Sequence, residues 1–343
     1  MKEPLLGKTL KELEDICLEN KMPKFNAKQI ASWLYKSDVN EICQMTNLSL
    51  KTREVLSERY SIGKIPHIKE MESKDATVKY LYKYDETTFV ETVIIPDKAR
   101  QTLCISSQGG CKMNCLFCAT GKQGFQRNLT SGEIINFVAS LPEKEDLSNI
   151  VFMGMGEPLD NFNEVVKAIE ILTSQWGYAI SPRRITLSTC GILPKLIDFI
   201  EKTECHIAIS MHNPFHEERL RIMPIEKTYP IEEICNMLRN YNWYAQRRLT
   251  FEYILFEREN DTYFHAKEIS RLLRGLNARV NLIPYNPTPN SPFKGASQER
   301  MLQFQEELEK FHLITTIRKS KGEDILAACG LLSTKNLEEN SSK

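Results

Sequence analysis

The spacing of apolar positions changes twice along the chain and divides it into three zones. Up to about Pro66 the spacing is helical. Leu10, Leu13, Ile16 and Cys17 share one face, Ile30, Trp33 and Leu34 a second, and Val55, Leu56 and Tyr60 a third. Asn26 and Ser49 stand where N-caps of the second and third segments are expected. From Thr77 to Ile95 the period is two, with Val78, Tyr80 and Tyr82, then Phe89, Thr92 and Val93, broken by Asp85-Glu86; this reads as a hairpin. Beyond it, strand-length apolar runs alternate with helical patterns. Strands are expected at 102–106, 149–153, 184–188, 206–210, 249–255, 279–283 and 314–319. Helices are expected at 130–141, 163–175, 194–202, 231–240, 262–273 and 297–311, the first opened by a Thr130/Glu133 capping box. Repeated βα units predict a parallel sheet with right-handed crossovers. About six of them predict an α/β fold with a partial barrel, not a closed eightfold one. The expected division is a helical accessory domain over 1–75, a β-hairpin linker over 76–96, a core over 97–329 and a polar tail over 330–343, fraying from Leu337.

Composition narrows the class. The chain has 343 residues, 41% hydrophobic and 26% charged, enough for one large core and an accessory domain. No apolar run is long enough to span a bilayer, and Met1-Lys2-Glu3-Pro4 is unlike a signal peptide, so a cytoplasmic protein is expected. Ten cysteines without a secretory signal point to reduced thiols and a metal or redox role. The 45 basic and 45 acidic residues cancel, so any nucleic-acid contact must use a local basic face. The nearly balanced N-terminal zone is equally compatible with a packing cap and an RNA-docking module.

Chemistry concentrates at Cys111, Cys115 and Cys118, in Gly110-Cys-Lys-Met-Asn-Cys-Leu-Phe-Cys-Ala-Thr-Gly121. Three thiolates at C-x3-C-x2-C spacing can ligate three irons of a 4Fe-4S cubane and leave the fourth for another ligand. Structural zinc is the alternative, but it closes with a fourth Cys or His at short spacing, and none follows nearby. In a parallel barrel, chemistry belongs at the carboxyl ends of strands. Gly154-Met155-Gly156-Glu157-Pro158, Ser188-Thr189-x-Gly191, Ser210-Met211-His212 and Pro284-Tyr285-Asn286-Pro287 all fall there. Each alone is an ordinary turn or a satisfied polar pair; four at corresponding strand ends beside the triad point to a ligand site.

The triad spacing, with Phe117 before the last cysteine, is similar to that of radical S-adenosylmethionine enzymes. Cys111–Gly124, Phe125-x-Arg127-Asn128-Leu129, Phe152–Leu159, Ser188–Ile192, Met223-Pro224-Ile225, Val280–Pro287 and Asp324-x-x-Ala-Ala-Cys-Gly330 together resemble the radical S-adenosylmethionine adenine C2-methyltransferases of 23S rRNA and tRNA. The resemblance runs from Asn26 to Gly330. It implies a (β/α)6-type radical-SAM barrel and one 4Fe-4S cluster on Cys111, Cys115 and Cys118. Two S-adenosylmethionine molecules would be used per turnover, in a site formed by Gly156, Glu157, Ser188, Ser210, Met211, His212 and Asn286. It also implies that Cys329 carries a methyl group, that a 5′-deoxyadenosyl radical takes hydrogen from it, and that Cys104 releases the product through a transient Cys104–Cys329 disulfide. The base that removes the C2 proton is Glu91 or Cys104. By the same resemblance the chain is a monomer served by a flavodoxin-type donor, with 23S rRNA and tRNA as partners.

Two other readings remain. Relatives that methylate adenine C8 and confer ribosomal antibiotic resistance share the triad and both extra cysteines; Ser181-Pro182-Arg183-Arg184 resembles that group, whereas Pro158 and the 124–129 run favour C2. A non-catalytic RNA-binding iron–sulfur protein is the second, opposed by the intact Cys104 and Cys329. Cys17, Cys43, Cys190, Cys205 and Cys235 are expected to be packing residues. Four basic clusters are expected on or near the active-site rim: Lys122 with Arg127, Arg183 with Arg184, Arg247 with Arg248, and Arg318 with Lys319 and Lys321.

Overall fold

The computed structural model describes residues 2–334 apart from 99, 143, 245–246 and 289–290. A ten-stranded sheet organises it, with every strand beside its sequence neighbour. Strands β1 (Lys69–Glu72), β2 (Val78–Lys83), β3 (Phe89–Asp97) and β4 (Arg100–Cys104) form an antiparallel meander. From β4 the sheet continues in parallel through β5 (Asn149–Phe152), β6 (Ile185–Thr189), β7 (His206–Ser210), β8 (Leu249–Leu255), β9 (Ala278–Pro284) and β10 (Ile314–Ile317). The arc stays open: β1 and β10 are its two edges. This is the expected partial barrel, with its amino edge extended by the meander.

Six crossovers link the parallel strands, each with a helix: Ser131–Ala139, Phe162–Thr173, Leu193–Lys202, Ile231–Leu238, Tyr263–Leu273 and Gln298–Lys310. β7 and β8 occupy the residues their patterns predict. β4 ends two residues early because the chain after it turns to serve a neighbour. Gly154 N–H donates to Ile105 O, Met155 N–H to Ser106 Oγ and Ser107 N–H to Met155 O. The edge strand β1 escaped pattern reading because Lys69, Glu70 and Glu72 are exposed and offer no apolar alternation.

Before the meander lie helices α1 (Leu10–Glu19), α2 (Asn26–Lys36) and α3 (Leu50–Arg59). Ser49 caps α3 as expected, accepting from Thr52 N–H, whereas Asn26 lies inside α2 and its amide bonds Gln29. These helices share one apolar core with the barrel, through Leu13, Ile30 and Leu34 on one side and Phe137, Val165 and Ile169 on the other. Tyr35 packs on the rings of Trp176 and Tyr178, and Ser131 Oγ donates to Gly7 O. Among the described residues no helix is long and apolar enough to cross a membrane.

The tail needs a correction where it begins. Leu331, Leu332 and Thr334 are buried, Thr120 Oγ1 donates to Leu332 O at 2.6 Å, and Thr334 N–H donates to Gln123 Oε1 at 2.9 Å. Residues 330–334 therefore pack beside the triad loop, because Leu331 and Leu332 are apolar enough to be buried there; 335–343 lie outside the described residues.

Candidate active site

The triad sits in an excursion between β4 and β5. A strand at Gln108–Gly110 leads into Cys111, and a second at Phe125–Asn128 pairs back antiparallel after the short helix Ala119–Gln123. Cys118 N–H donates to Cys115 O and Leu116 N–H to Ile222 O, so the loop is held by its own turn and by the β7–β8 crossover. All three cysteines are free and line one cavity of about 170 Å³ with Gly154, Gly156, Glu157, Ser188, Ser210 and His212. Burial pushes the Cys111 thiol up to about 12 and also raises the Cys115 thiol well above its ordinary value, Cys115 also feeling the charges of Cys118 and Cys111. Ligation to a metal reverses that preference, since a coordinating thiol is deprotonated outright. Among the described residues no three His, Cys, Asp or Glu side chains gather as a site for a single ion. Thiolates on separate irons have no need to meet at one point, so this donor set suits a cluster better than zinc.

The strand ends build the rest of the wall. After β5, a Cβ on Gly154 would lie 2.5 Å from Ser106 Oγ, and Gly156 adopts φ +99° with its missing Cβ 2.8 Å from Gln108 N; both close approaches require glycine. They deliver Glu157, buried, whose Oε1 accepts from Thr189 Oγ1 at 2.6 Å and Leu159 N–H at 3.0 Å, and whose Oε2 accepts from Cys190 N–H at 2.8 Å. Burial raises the Glu157 carboxyl, and the Thr189 bond works against it. His212, after β7, has φ +53° and is buried; its Nδ1 accepts from Ile254 N–H at 3.1 Å. Burial and the Arg219 charge lower it to about 3, so the ring is neutral with its hydrogen on Nε2. Phe117 packs edge-on against it at 4.8 Å, coupling the triad loop to β7.

Two expected cofactor residues stand elsewhere. Met211 is buried in the main apolar core, because alternation after Ser210 turns its side chain inward. Asn286 lines a second chamber: its Nδ2 donates to Cys329 O at 3.2 Å and its Oδ1 accepts from Ser320 Oγ at 2.9 Å. Sequence reading also missed Arg219, fully buried and ion-paired to Glu226, which donates to the carbonyls of Met211 (2.9 Å), Ser210 (2.8 Å) and Cys190 (3.2 Å). It fixes two strand ends of the cavity at once, and nothing in its local sequence marks it. Cys190 lines the triad cavity, with its backbone N–H bonded to Glu157 Oε2; Cys17, Cys205 and Cys235 are buried as expected, whereas Cys43 is exposed.

The second chamber, of about 100 Å³, holds Cys104 and Cys329 with Asn286, Arg318 and Lys321. It shares Cys118, Met153, Gly154, Arg318 and Cys329 with the triad cavity, so the two are adjacent. Burial, then the Cys329 charge, push Cys104 up to about 12, while Arg318 opposes the rise. Ala119 N–H donates to Gly330 O at 2.7 Å, fastening the Cys329 loop to the helix after the triad.

Glu91 is not among the residues lining either chamber. It is buried on β3, ion-paired to Lys79 Nζ at 2.8 Å, and its Oε2 accepts from Ser333 N–H at 3.0 Å; Lys79 Nζ also reaches Leu326 O at 3.3 Å. The pair thus clamps both ends of the 326–333 loop that carries Cys329. Lys79→Met leaves a carboxylate buried without its cation and is expected to cost about 3–5 kcal/mol of stability in urea unfolding, with Lys79→Met/Glu91→Leu recovering most of the loss.

The basic clusters divide. Arg318, Lys319 and Lys321 line the Cys104 chamber, and Lys122 Nζ bonds Thr288 Oγ1 at 3.0 Å. Arg127 is committed to Asp85 and Glu133. Arg183, Arg184, Arg247 and Arg248 are not on the rim. They precede β6 and β8, and residues before parallel strands lie at the end opposite the site.

A three-cysteine loop over the carboxyl ends of an open parallel barrel defines the radical S-adenosylmethionine enzymes, and the Radical SAM superfamily model matches residues 105–266. The model described as the ribosomal RNA large subunit methyltransferase N-terminal domain matches residues 4–62. A probable dual-specificity RNA methyltransferase RlmN of Bacteroides fragilis is 54% identical over 339 residues, covering 99% of this chain and 98% of that one. The dual-specificity RNA methyltransferase RlmN of Syntrophus aciditrophicus is 43% identical, covering 96% of each. A radical SAM methyltransferase structure from Sphaerobacter thermophilus superposes with a TM-score of 0.89 at 37% identity, over 96% of this chain and 98% of that one. The chain belongs to the RlmN family of dual-specificity RNA methyltransferases. Membership implies S-adenosylmethionine and a 4Fe-4S cluster.

Proposed function

We propose that the chain methylates C2 of adenine in 23S rRNA, at the peptidyl-transferase centre, and in tRNA, 3′ of the anticodon. The observation that carries this reading is a pair of free thiols, Cys104 and Cys329, lining one chamber that adjoins the triad cavity. Adenine C2 is an electron-poor carbon without a lone pair, so a nucleophilic route to an ordinary methyl donor is closed. With the cluster held by Cys111, Cys115 and Cys118, S-adenosylmethionine supplies one methyl group and, in a second molecule, the 5′-deoxyadenosyl radical. The chain's own residues do the rest. Glu157 keeps an acceptor position on Oε2 for the methionyl ammonium, and Ser188, Ser210 and His212 offer hydroxyls and an Nε2–H beside it. Asn286 orients Cys329 through its carbonyl. Cys329 accepts the methyl group on sulfur, where thiolate displacement is facile, and carries its carbon to C2 as a covalent bond to the base. The Cys104 sulfur then attacks the Cys329 sulfur; the S–S bond forms and the S–CH2 bond breaks with its electron pair passing to the base. That carbon takes a proton to become the methyl group, and a two-electron reductant returns the disulfide to thiols. Cys104 is better placed than Glu91 to take the C2 proton, because Glu91 is spent on Lys79 and Ser333.

The accessory helices of 1–75, the linker of 76–96 and the barrel from 97 act as one packed unit in this scheme, in a cytoplasmic monomer reduced by a flavodoxin-type donor. The Ser181–Arg184 run, which resembles the C8 enzymes, lies at the far end of the barrel and has no bearing on which ring carbon reacts. Nucleoside mass spectrometry of rRNA and tRNA from cells with and without the gene tests the assignment. The expected outcome is gene-dependent 2-methyladenosine in both RNAs; 8-methyladenosine would establish the C8 reading, and no change in either would point to the non-catalytic one.

A further inference from the structure

The amino ends of the parallel strands form a second cationic concentration that the chemistry above does not use. A depression of about 410 Å³ there is lined by Arg183, Arg247, Arg248, Arg279 and His206, with no carboxylate among its lining residues. The strand register assembles it: Thr186 pairs with His206, Ile207 with Leu249, and Thr250 with Arg279, so the residues before and at these positions share one rim. Packing accounts for Arg247, which donates to Cys205 O at 2.7 Å and Ile200 O at 2.8 Å and lies over Phe199 and Trp243. The guanidinium groups of Arg183, Arg248 and Arg279 have no acidic or hydrogen-bonding partner among the described residues. Burial and the charges of Arg279 and Arg100 depress Arg248, and burial with Arg248, Arg247 and Arg183 lowers His206 to about 4. The fold has gathered like charges here in a chain whose 45 cations and 45 anions balance overall. An arrangement that repels itself is relieved by a bound anion, and guanidinium forks match phosphate oxygens in pairs.

The rim does not stand alone. Arg184, next to Arg183, lines a groove of about 730 Å³ between the accessory helices and the barrel, which also carries Lys36, Lys64 and Lys144. Lys64 and Lys144 are paired there to Asp38 and Lys36 donates to Gln175 O, so Arg184 is the cation that carries the rim towards this groove. Strands of five to seven residues at ~3.3 Å per residue separate the rim from the chamber by roughly 17–23 Å, a span that a small-molecule phosphate cannot bridge but a folded RNA can. We propose that the arginine rim is a second RNA-docking surface, holding the phosphate backbone of the substrate at a segment remote from the target adenine. The proposal rests on RNA being the substrate.

Arg183→Glu/Arg279→Glu in the full chain tests it, since both side chains are exposed and neither touches the chamber. With a full-length substrate RNA, the dissociation constant and KM should rise about tenfold or more, the salt slope of log K should fall by about 2, and kcat should hold. A minimal stem-loop carrying the target adenosine should bind as before, and Arg183→Lys/Arg279→Lys should restore most of the affinity. Unchanged affinity and salt slope with full-length RNA would overturn the proposal, as would equal weakening of full-length RNA and stem-loop. Inorganic phosphate titrated by calorimetry separates the other source of the same chemistry: binding abolished by the reversal, with RNA affinity untouched, makes the rim a small-anion site and also overturns it. Methylation of RNA by the unaltered protein reports on the underlying reading independently of either variant.

Discussion

Cys104→Ala protein, incubated with S-adenosylmethionine, a reductant and substrate RNA, is expected to accumulate a covalent protein–RNA adduct and to release no methylated base. The adduct should run as a shifted band with labelled RNA on a denaturing gel and should disappear on nuclease digestion. Cys329→Ala should give neither adduct nor product, and the double variant should behave like Cys329→Ala. The asymmetry follows from placement. Cys329 lies in a loop that borders both chambers and Cys104 does not, so of these two it is Cys329 that can take a group from one and present it in the other. Cys104 is at the carboxyl end of β4, buried, and lines only the second chamber. Removing it leaves addition possible and removes the sulfur that would resolve it. Normal turnover by Cys104→Ala, or an adduct in the double variant, would show that these roles are wrongly assigned.

The barrel was legible because its signals are redundant. β7 and β8 are short apolar runs bounded by polar turns, and each neighbouring helix has an amphipathic stripe, so period and length agree. Charged β1 gave no such signal; it pairs through backbone bonds that any sequence can make. The helix at His216–Ile222 escaped for a related reason, since it buries only Arg219 and Ile222 and so shows no apolar face.

The site divides in the same way. Residues that the backbone must approach closely, Gly154 and Gly156, or that stand at a strand's carboxyl end, Ser188 and Ser210, were readable from position alone. Partnerships were not. That Glu91 is held by Lys79 and Ser333, or that Arg219 gathers carbonyls from two strand ends, depends on residues between 8 and 242 positions apart. The arginine pairs were misplaced for a topological reason. A pair beside a strand is at the active end only if it follows the strand, and Arg183-Arg184 and Arg247-Arg248 precede theirs.

Replacing any one of Cys111, Cys115 or Cys118 by Ala is expected to abolish both the brown iron–sulfur absorbance of reconstituted protein and the release of 5′-deoxyadenosine. The argument is one of ligand number. Three thiols are all the cysteines that the loop between Gly110 and Ala119 can offer, and a cubane that has lost one of three has two irons without protein ligands. The informative control is Cys190→Ala. Its thiol lines the same cavity and feels the Cys115 charge, so proximity alone would make it a fourth ligand. Glu157 is bound by the Cys190 backbone N–H, which alanine keeps, and the cluster's absorbance should survive removal of the thiol. Loss of the cluster on Cys190→Ala, with retention in any triad variant, would move the ligand set off the loop and falsify the assignment. Thermal unfolding of the apo forms separates ligation from folding, because the loop's anchors to Ile222 and Gly330 are backbone bonds that an alanine keeps.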